Sequence, residues 1–345
     1  MKRYLYLTVL MGLALVLGSC WLTEPVYPRP EPWLCSINSD GTGFRKIKKV
    51  DLNFGTTGFW DIYMTKDNRI IFYGEKLWIS ETDTIRVEQI TPSNLVLFDK
   101  PQLEFTRDGD TAYFAASRDL YKLKLSTNEV FKLTETPTDY YWAEPILSDN
   151  ERFVAMRGYW GKNDSPQTVY SYIDLTDNSL HNVFATNYVA APYKGKIMEG
   201  LNNFVLENKH GFGSISFIDS TYTLHQPYLA SYKNMFETTS DQRFIVTKYV
   251  QSAKSYAIAI DLQNYAHYEL GYVNEHHSRS PIKVCKDANL VFYFDDQRIY
   301  RYDLDTHQKI TVIGPNAEVD VLSVIMFAPT WDGSKVYFYA DIVIK

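Results

Sequence analysis

Few side chains in this chain are spaced for covalent or metal chemistry. A covalent hydrolase needs a nucleophile elbow, a strained G-x-S-x-G turn that lifts the serine above a sheet. The nearest run, Gly211-Phe212-Gly213-Ser214, lacks that framing, so Ser214 reads as a strand or turn residue. Of seven histidines only His276 and His277 are adjacent, within the polar stretch 271–279. Two imidazoles can begin a transition-metal site, but no third and fourth ligand stands at a recognisable spacing. No C-x-x-C and no Cys/His cluster occurs. Aspartates recur in tight turns at Asp67, Asp108, Asp149, Asp241, Asp287 and Asp332. They invite a calcium reading, yet the D-x-[DN]-x-[DN]-G loop is missing, and an Asp that accepts a backbone N–H two residues on fixes a turn unaided. The expectation is no catalytic residue, no metal and no cofactor.

Binding chemistry is better represented. Trp and Tyr combine a large contact area with a polar tip, which suits protein anchors and sugar stacking equally. They concentrate at Trp60, at Tyr141 and Trp142 beside Glu144, at Tyr159 and Trp160, and at Tyr228 and Tyr232. Together with His276 and His277, these ten residues are the candidate binding set. The repeat described next assigns them to connectors, and Tyr159-Trp160 to a long loop over 158–166. Trp60 and Trp142 stand at strand entrances, where packing between sheets is the alternative to exposure.

What must position them is strand. Runs of four to eight Tyr, Phe, Val and Ile residues are broken by Asp, Asn and Gly, and no long stretch shows a 3.6-residue period. The chain is also self-similar. Each turn aspartate precedes an apolar strand, such as Ile70-Ile71-Phe72-Tyr73, Ala112-Tyr113-Phe114 or Val336-Tyr337-Phe338-Tyr339. The turn aspartates lie 41, 41, 92, 46 and 45 residues apart. The double interval implies one more copy at its midpoint, where Asn202-Asn203-Phe204-Val205-Leu206 stands. Four strands per unit and seven units give an all-β chain folded as a single β-propeller. The last unit stops after its second strand, near Tyr339, and residues 33–47 supply an isolated third strand, turn and fourth strand. Joining the two chain ends in one blade closes the ring and removes exposed sheet edges. The tail Ile342-Val343-Ile344-Lys345 stands outside that count.

The units resemble the TolB-type propeller repeat of bacterial envelope proteins, a relative of the WD repeat. The resemblance rests on Asp108-Gly109 and Asp332-Gly333 before apolar strands and on the hairpin Ser39-Asp40-Gly41-Thr42-Gly43. It implies architecture and envelope location, since propellers host both enzymes and scaffolds. Some propeller-fold pectate-fragment lyases hold a divalent metal on histidines near the central channel, and His276 and His277 would be the residues to compare.

Residues 1–19 read as a signal peptide, with Lys2 and Arg3 before an apolar stretch too short to span a bilayer as a mature helix. Leu17-Gly18-Ser19-Cys20 resembles the bacterial lipobox, which implies cleavage before Cys20 and acylation, including palmitate, of that residue. Several acyl chains would make the membrane attachment effectively permanent. Residues 20–32 form a Pro-rich linker with Pro25, Pro28, Pro30 and Pro32, and residues 33–345 form the propeller domain. Trp21 in place of an aspartate after the lipidated cysteine implies the outer membrane by resemblance to enterobacterial sorting. The net charge of −6 argues against nucleic acid. Cys35 and Cys285 read as buried apolar residues, with a disulfide as the alternative. The leading expectation is a non-enzymatic lipoprotein scaffold for a protein partner or glycan. The alternative is a lyase-like carbohydrate-active enzyme using the central channel, with Glu144, His276 and His277 as its residues.

Overall fold

The computed structural model describes residues 31–49, 59–83, 86–97, 102–136, 140–148, 150–160, 167–185, 195–198, 203–208, 211–216, 222–227, 231–239, 241, 243–251, 254–264, 266–273, 281–295, 298–314 and 320–343. Among them there is no helix, and the strands form seven four-stranded antiparallel sheets. The chain enters through β1 (Glu31–Asn38) and β2 (Arg45–Lys49). Blade one is β3 (Phe59–Met64), β4 (Arg69–Gly74), β5 (Leu77–Glu81) and β6 (Glu88–Gln89). Blade two is β7 (Glu104–Phe105), β8 (Thr111–Ala116), β9 (Asp119–Lys124) and β10 (Glu129–Lys132). Blade three is β11 (Tyr140–Leu147), β12 (Phe153–Trp160), β13 (Gln167–Asp174) and β14 (Ser179–Ala185). Blade four is β15 (Gly195–Met198), β16 (Asn203–Asn208), β17 (Gly211–Ser216) and β18 (Tyr222–Pro227). Blade five is β19 (Ser231–Thr238), β20 (Phe244–Gln251), β21 (Lys254–Asp261) and β22 (His267–Val273). Blade six is β23 (Ile282–Val284), β24 (Leu290–Asp295), β25 (Arg298–Asp303) and β26 (Gln308–Ile313). The chain ends with β27 (Asp320–Pro329) and β28 (Lys335–Val343).

The ends meet in one sheet ordered β2-β1-β28-β27, the seam blade. The expected shared blade is therefore present. The first two tail residues belong to it as well: β28 runs on to Val343, and Ile342 pairs with Glu31 of β1, while Ile344 and Lys345 lie outside the described residues. The second strand thus continues past Tyr339, because β1 offers it partners along its whole length. The first strand of each sheet faces the channel, and β27 touches both β23 and β3, which closes the ring through the seam.

Strands buried on both faces build the core: every residue of β8 is buried, as are all of β4 but the first. Phe72, Phe114, Phe244, Phe292, Phe327 and Phe338 are fully buried between sheets. Burial of such a side chain contributes about 1.5–3 kcal/mol. One cluster joins blades one and two to the seam blade through Leu34, Met326 and Trp331, and another joins blade six to the seam blade through Cys35, Cys285 and Phe294. Both cysteines are buried and unbridged. Burial pushes the Cys35 thiol up to about 12, although Lys46 opposes the shift, so it is an inert packing group.

The repeated turn has a definite chemistry. A hydroxyl at the end of the first strand donates to the residue two positions on: Thr106 to Asp108 (2.6 Å), Thr239 to Asp241 (2.7 Å) and Thr330 to Asp332 (2.6 Å), with Thr65 donating to Asp67 in the same way. The same aspartates accept backbone N–H groups from Asp110, Arg243 and Ser334. In blade three the pair is Ser148 and Asn150, so the equivalent position is Asn150 and not the expected Asp149. The next residue takes positive φ at Asn68, Gly109, Glu151 and Gly333, which explains the Asp-Gly and Asp-Asn pairs.

Candidate functional site

Each inner strand has a turn end and a connector end, with a channel-facing stretch between them. Counting back from the turn hydroxyl, or from Cys285 at that place in blade six, the residue two before it is Tyr63, Glu104, Ile146, Glu237, Lys283 or Ala328, depending on the blade. Four of these six are polar.

Lys283 on β23 donates to Asp61 on β3 at 2.6 Å, and both side chains are more than nine-tenths buried, at 8% and 1% exposure. The seam strand β27 lies between β23 and β3, so the ion pair passes over a whole blade. At the equivalent position that blade carries only Ala328, short enough to let the lysine through. The ammonium also sits 4.3 Å from the Tyr63 ring centroid. Burial drives the Tyr63 hydroxyl well above its ordinary pKa, and Asp61, Tyr73, Glu237 and Glu104 push it further, so it stays protonated. Glu237 of β19 accepts the backbone N–H of Val284 at 3.0 Å, joining blades five and six. Gln102, just before β7, donates to the Pro145 carbonyl at 2.9 Å, joining blades two and three. Among the described residues, Lys283, Asp61, Glu237 and the Gln102 amide N–H thus bond from blade to blade, while Gln102 Oε1 is buried without a partner. Asp61 and Lys283 could have been suspected from sequence, because each places a charge inside an otherwise apolar strand.

The turn end is bonded in the same manner. Lys66 donates to the Arg107 carbonyl at 3.0 Å, and the Arg107 N–H reaches Glu151. The Asp287 N–H donates to the Trp331 carbonyl (2.9 Å), the Trp331 indole N–H to the Met64 carbonyl (2.8 Å), and Asn289 to Asp241 (2.9 Å). Turn by turn, these bonds link blade five through six, the seam, one and two to blade three. Among the described residues no group of three His, Cys, Asp or Glu side chains could hold a metal ion.

The connector end carries the aromatics. Their expected placement in connectors and loops is corrected by the pairing. Trp60 lies in β3, where its ring meets Tyr73 at 6.1 Å and packs on the core of blades one and two. Tyr141, Trp142 and Glu144 lie in β11, and Tyr159 and Trp160 in β12. The register pairs Tyr140 with Trp160, Tyr141 with Tyr159 and Trp142 with Gly158, so the strands run on through what reads as a loop. β-forming aromatic residues on facing strands extend a ladder wherever partners exist. Glu144 occupies in blade three the position of Asp61 in blade one, four residues before the turn hydroxyl. Tyr232 lies in β19 and pairs with Tyr249. Cys20, Tyr228, His276 and His277 lie outside the described residues.

Blade five adds a feature not anticipated. Tyr232, Tyr249, Tyr256 and Tyr272 are successive register partners across all four strands, near the β20–β21 turn. The Tyr249 and Tyr256 ring centroids are 6.0 Å apart, and Tyr256 meets Tyr272 edge-on at 6.2 Å. Tyr272 is 38% exposed. The signal in the sequence is the symmetry of Tyr249 and Tyr256 about a four-residue turn.

Neither a protein-family model nor a curated protein matches the sequence. Solved structures do. An oligogalacturonate lyase in complex with manganese superposes with a TM-score of 0.59 at 9% identity, over 83% of this chain and 90% of that one. The oligogalacturonate lyase of Vibrio parahaemolyticus gives 0.58 at 12% identity, over 91% and 98%. TolB from Acinetobacter baumannii gives 0.49 at 12% identity, over 91% and 65%. The two lyases carry the fold assignment: this chain is a β-propeller.

Proposed function

We propose that the chain is a lipid-anchored envelope protein whose propeller acts as a non-enzymatic scaffold, docking a protein partner or a glycan at its connector end. The observation that carries this reading is the engagement of Lys283, Asp61 and Glu237 among the described channel side chains. The buried Lys283–Asp61 pair, the Glu237 contact to the Val284 N–H and the Gln102 contact to the Pro145 carbonyl all hold neighbouring or next-neighbouring blades together. A general acid or base must reach its substrate's proton, and groups committed in this way do not. The aromatic residues gather instead at the opposite end from the turn ring, with the Tyr249-Tyr256-Tyr272 row reaching solvent at Tyr272. The lipobox-like Leu17-Gly18-Ser19-Cys20 supports the anchor, and Trp21 supports the outer membrane.

The second reading is a lyase-like carbohydrate-active enzyme, supported by the fold shared with oligogalacturonate lyases. Two assays separate them. The purified chain is given oligogalacturonides with and without manganese, and the ultraviolet absorbance of an unsaturated product is followed. In parallel, a photo-crosslinking residue replaces Trp160 in the native envelope. The scaffold reading expects no turnover and a discrete adduct. Manganese-dependent turnover that disappears in H276A/H277A would replace it with the enzyme.

A further inference from the structure

The outermost strand of the seam blade is unlike the rest of this acidic chain. β2 reads Arg45-Lys46-Ile47-Lys48-Lys49, four cations in five residues, on the edge strand of its sheet among the described residues. Its one apolar side chain, Ile47, packs inward on the blade-one core. Lys46 lies over the Trp33 ring at 5.3 Å, Lys49 bonds Glu31 at 2.8 Å, and Arg45 stands 3.6 Å from Asp83. The strand itself carries four positive side chains and no acid, in a chain whose net charge is −6.

Its position gives that charge a use. β1 begins at Glu31, which lies beside Lys49 and only eleven residues after Cys20. At roughly 3.1 Å per residue for an extended Pro-rich segment, the tether reaches about 34 Å. A short tether holds the strand at high effective concentration near the bilayer surface. We infer that β2 is a membrane-docking strip that binds the anionic phosphate headgroups of phospholipids and sets the propeller's orientation on its anchor. The geometry of this inference rests on the lipid-anchor reading; the strip's affinity for phosphate does not. Basic side chains beside a lipidated segment act together with the acyl chains in this manner. The competing role is edge protection, because lysines on an outer strand deter sheet-to-sheet pairing.

The test uses the mature chain, residues 20–345 carrying Cys20→Ser and made without the signal peptide, so that neither lipid nor leader holds it, with vesicles of phosphatidylcholine alone or mixed with phosphatidylglycerol. Binding is expected only to the anionic vesicles. It should weaken about tenfold or more at 300 mM salt, and equally in R45Q/K46Q/K48Q/K49Q. The charge-retaining variant R45K/K46R/K48R/K49R should bind as the parent does, which separates charge from folding. Equal binding to both vesicle types, binding to neither, or equal loss in both quadruple variants would reduce the strand to edge protection and overturn the inference. The intact mass of the native chain extracted from its membrane reports independently on Cys20. An unlipidated mass defeats the anchor reading, whatever the vesicles show.

Discussion

The two ends of the inner strands differ in what their residues are for. At the turn end, blades one and two and the seam blade repeat one device, a hydroxyl, an aspartate two residues on and a residue with positive φ, and blade three repeats it with Asn150 for the aspartate. Its polar atoms bond within the turn and then to the next turn, as Lys66 does to Arg107 and Trp331 to Met64. At the connector end the blades disagree, with Phe59-Trp60 in one, Tyr140-Tyr141-Trp142 in another and Ser231-Tyr232 in a third. Repetition marks the surface that holds the ring together, and variation marks the surface left for a partner. The charged pair between the two ends belongs with the holding surface, since it ties blade six to blade one across the seam.

The sharpest way to break this division is to cut that pair. Asp61→Ala or Lys283→Ala leaves a buried charge without its counterion and should cost about 3–5 kcal/mol in urea unfolding. The paired replacement D61L/K283M should cost less than either single change. A double variant less stable than both singles would mean that the two residues serve other partners.

At the turn end, Gly109→Ala should cost about 1–3 kcal/mol. Its φ is +77°, and an added Cβ would lie 2.4 Å from that of Lys66. An unchanged melting temperature would show that the turn ring is not tightly packed.

Acid sharpens the same point. The Thr106 hydroxyl and then the Asp110 N–H hold the Asp108 carboxyl below the ordinary aspartate range. A depressed folded-state pKa contributes stability above the unfolded value near 4, and that contribution is lost as pH falls through the folded pKa. Thr106→Val should raise the Asp108 pKa in an NMR titration and move acid unfolding to higher pH. No movement in either would assign the turn's stability elsewhere.

The smallest stability effect belongs to the connector end. Tyr272→Ala should change stability by no more than about 0.5 kcal/mol, because its ring is partly exposed. Its expected loss is in partner capture, read by crosslinking.

Architecture was legible in the sequence because the turn device recurs at a nearly constant interval and the apolar runs that follow it are local. The shared seam blade followed from counting strands, and Ile342 and Val343 of the unaccounted tail proved to be the end of β28. One position was misassigned: in blade three Asn150 takes the aspartate's place, because Ser148 sets the register. The site was less legible. Composition locates aromatic residues but not where ladders stop, so Tyr141, Trp142, Tyr159 and Trp160 read as connector or loop when their backbones are strand. The Lys283–Asp61 contact spans 222 residues. A contact of that separation depends on ring closure, and no local pattern encodes it.

The division between the two ends is tested most directly by placing the same photo-crosslinker at Tyr272 on the connector end and at Ser334 on the turn end, then irradiating the native envelope. The account predicts a discrete adduct from Tyr272 and none from Ser334. An adduct from Ser334 with none from Tyr272 would contradict it, placing the partner on the surface assigned here to holding the ring.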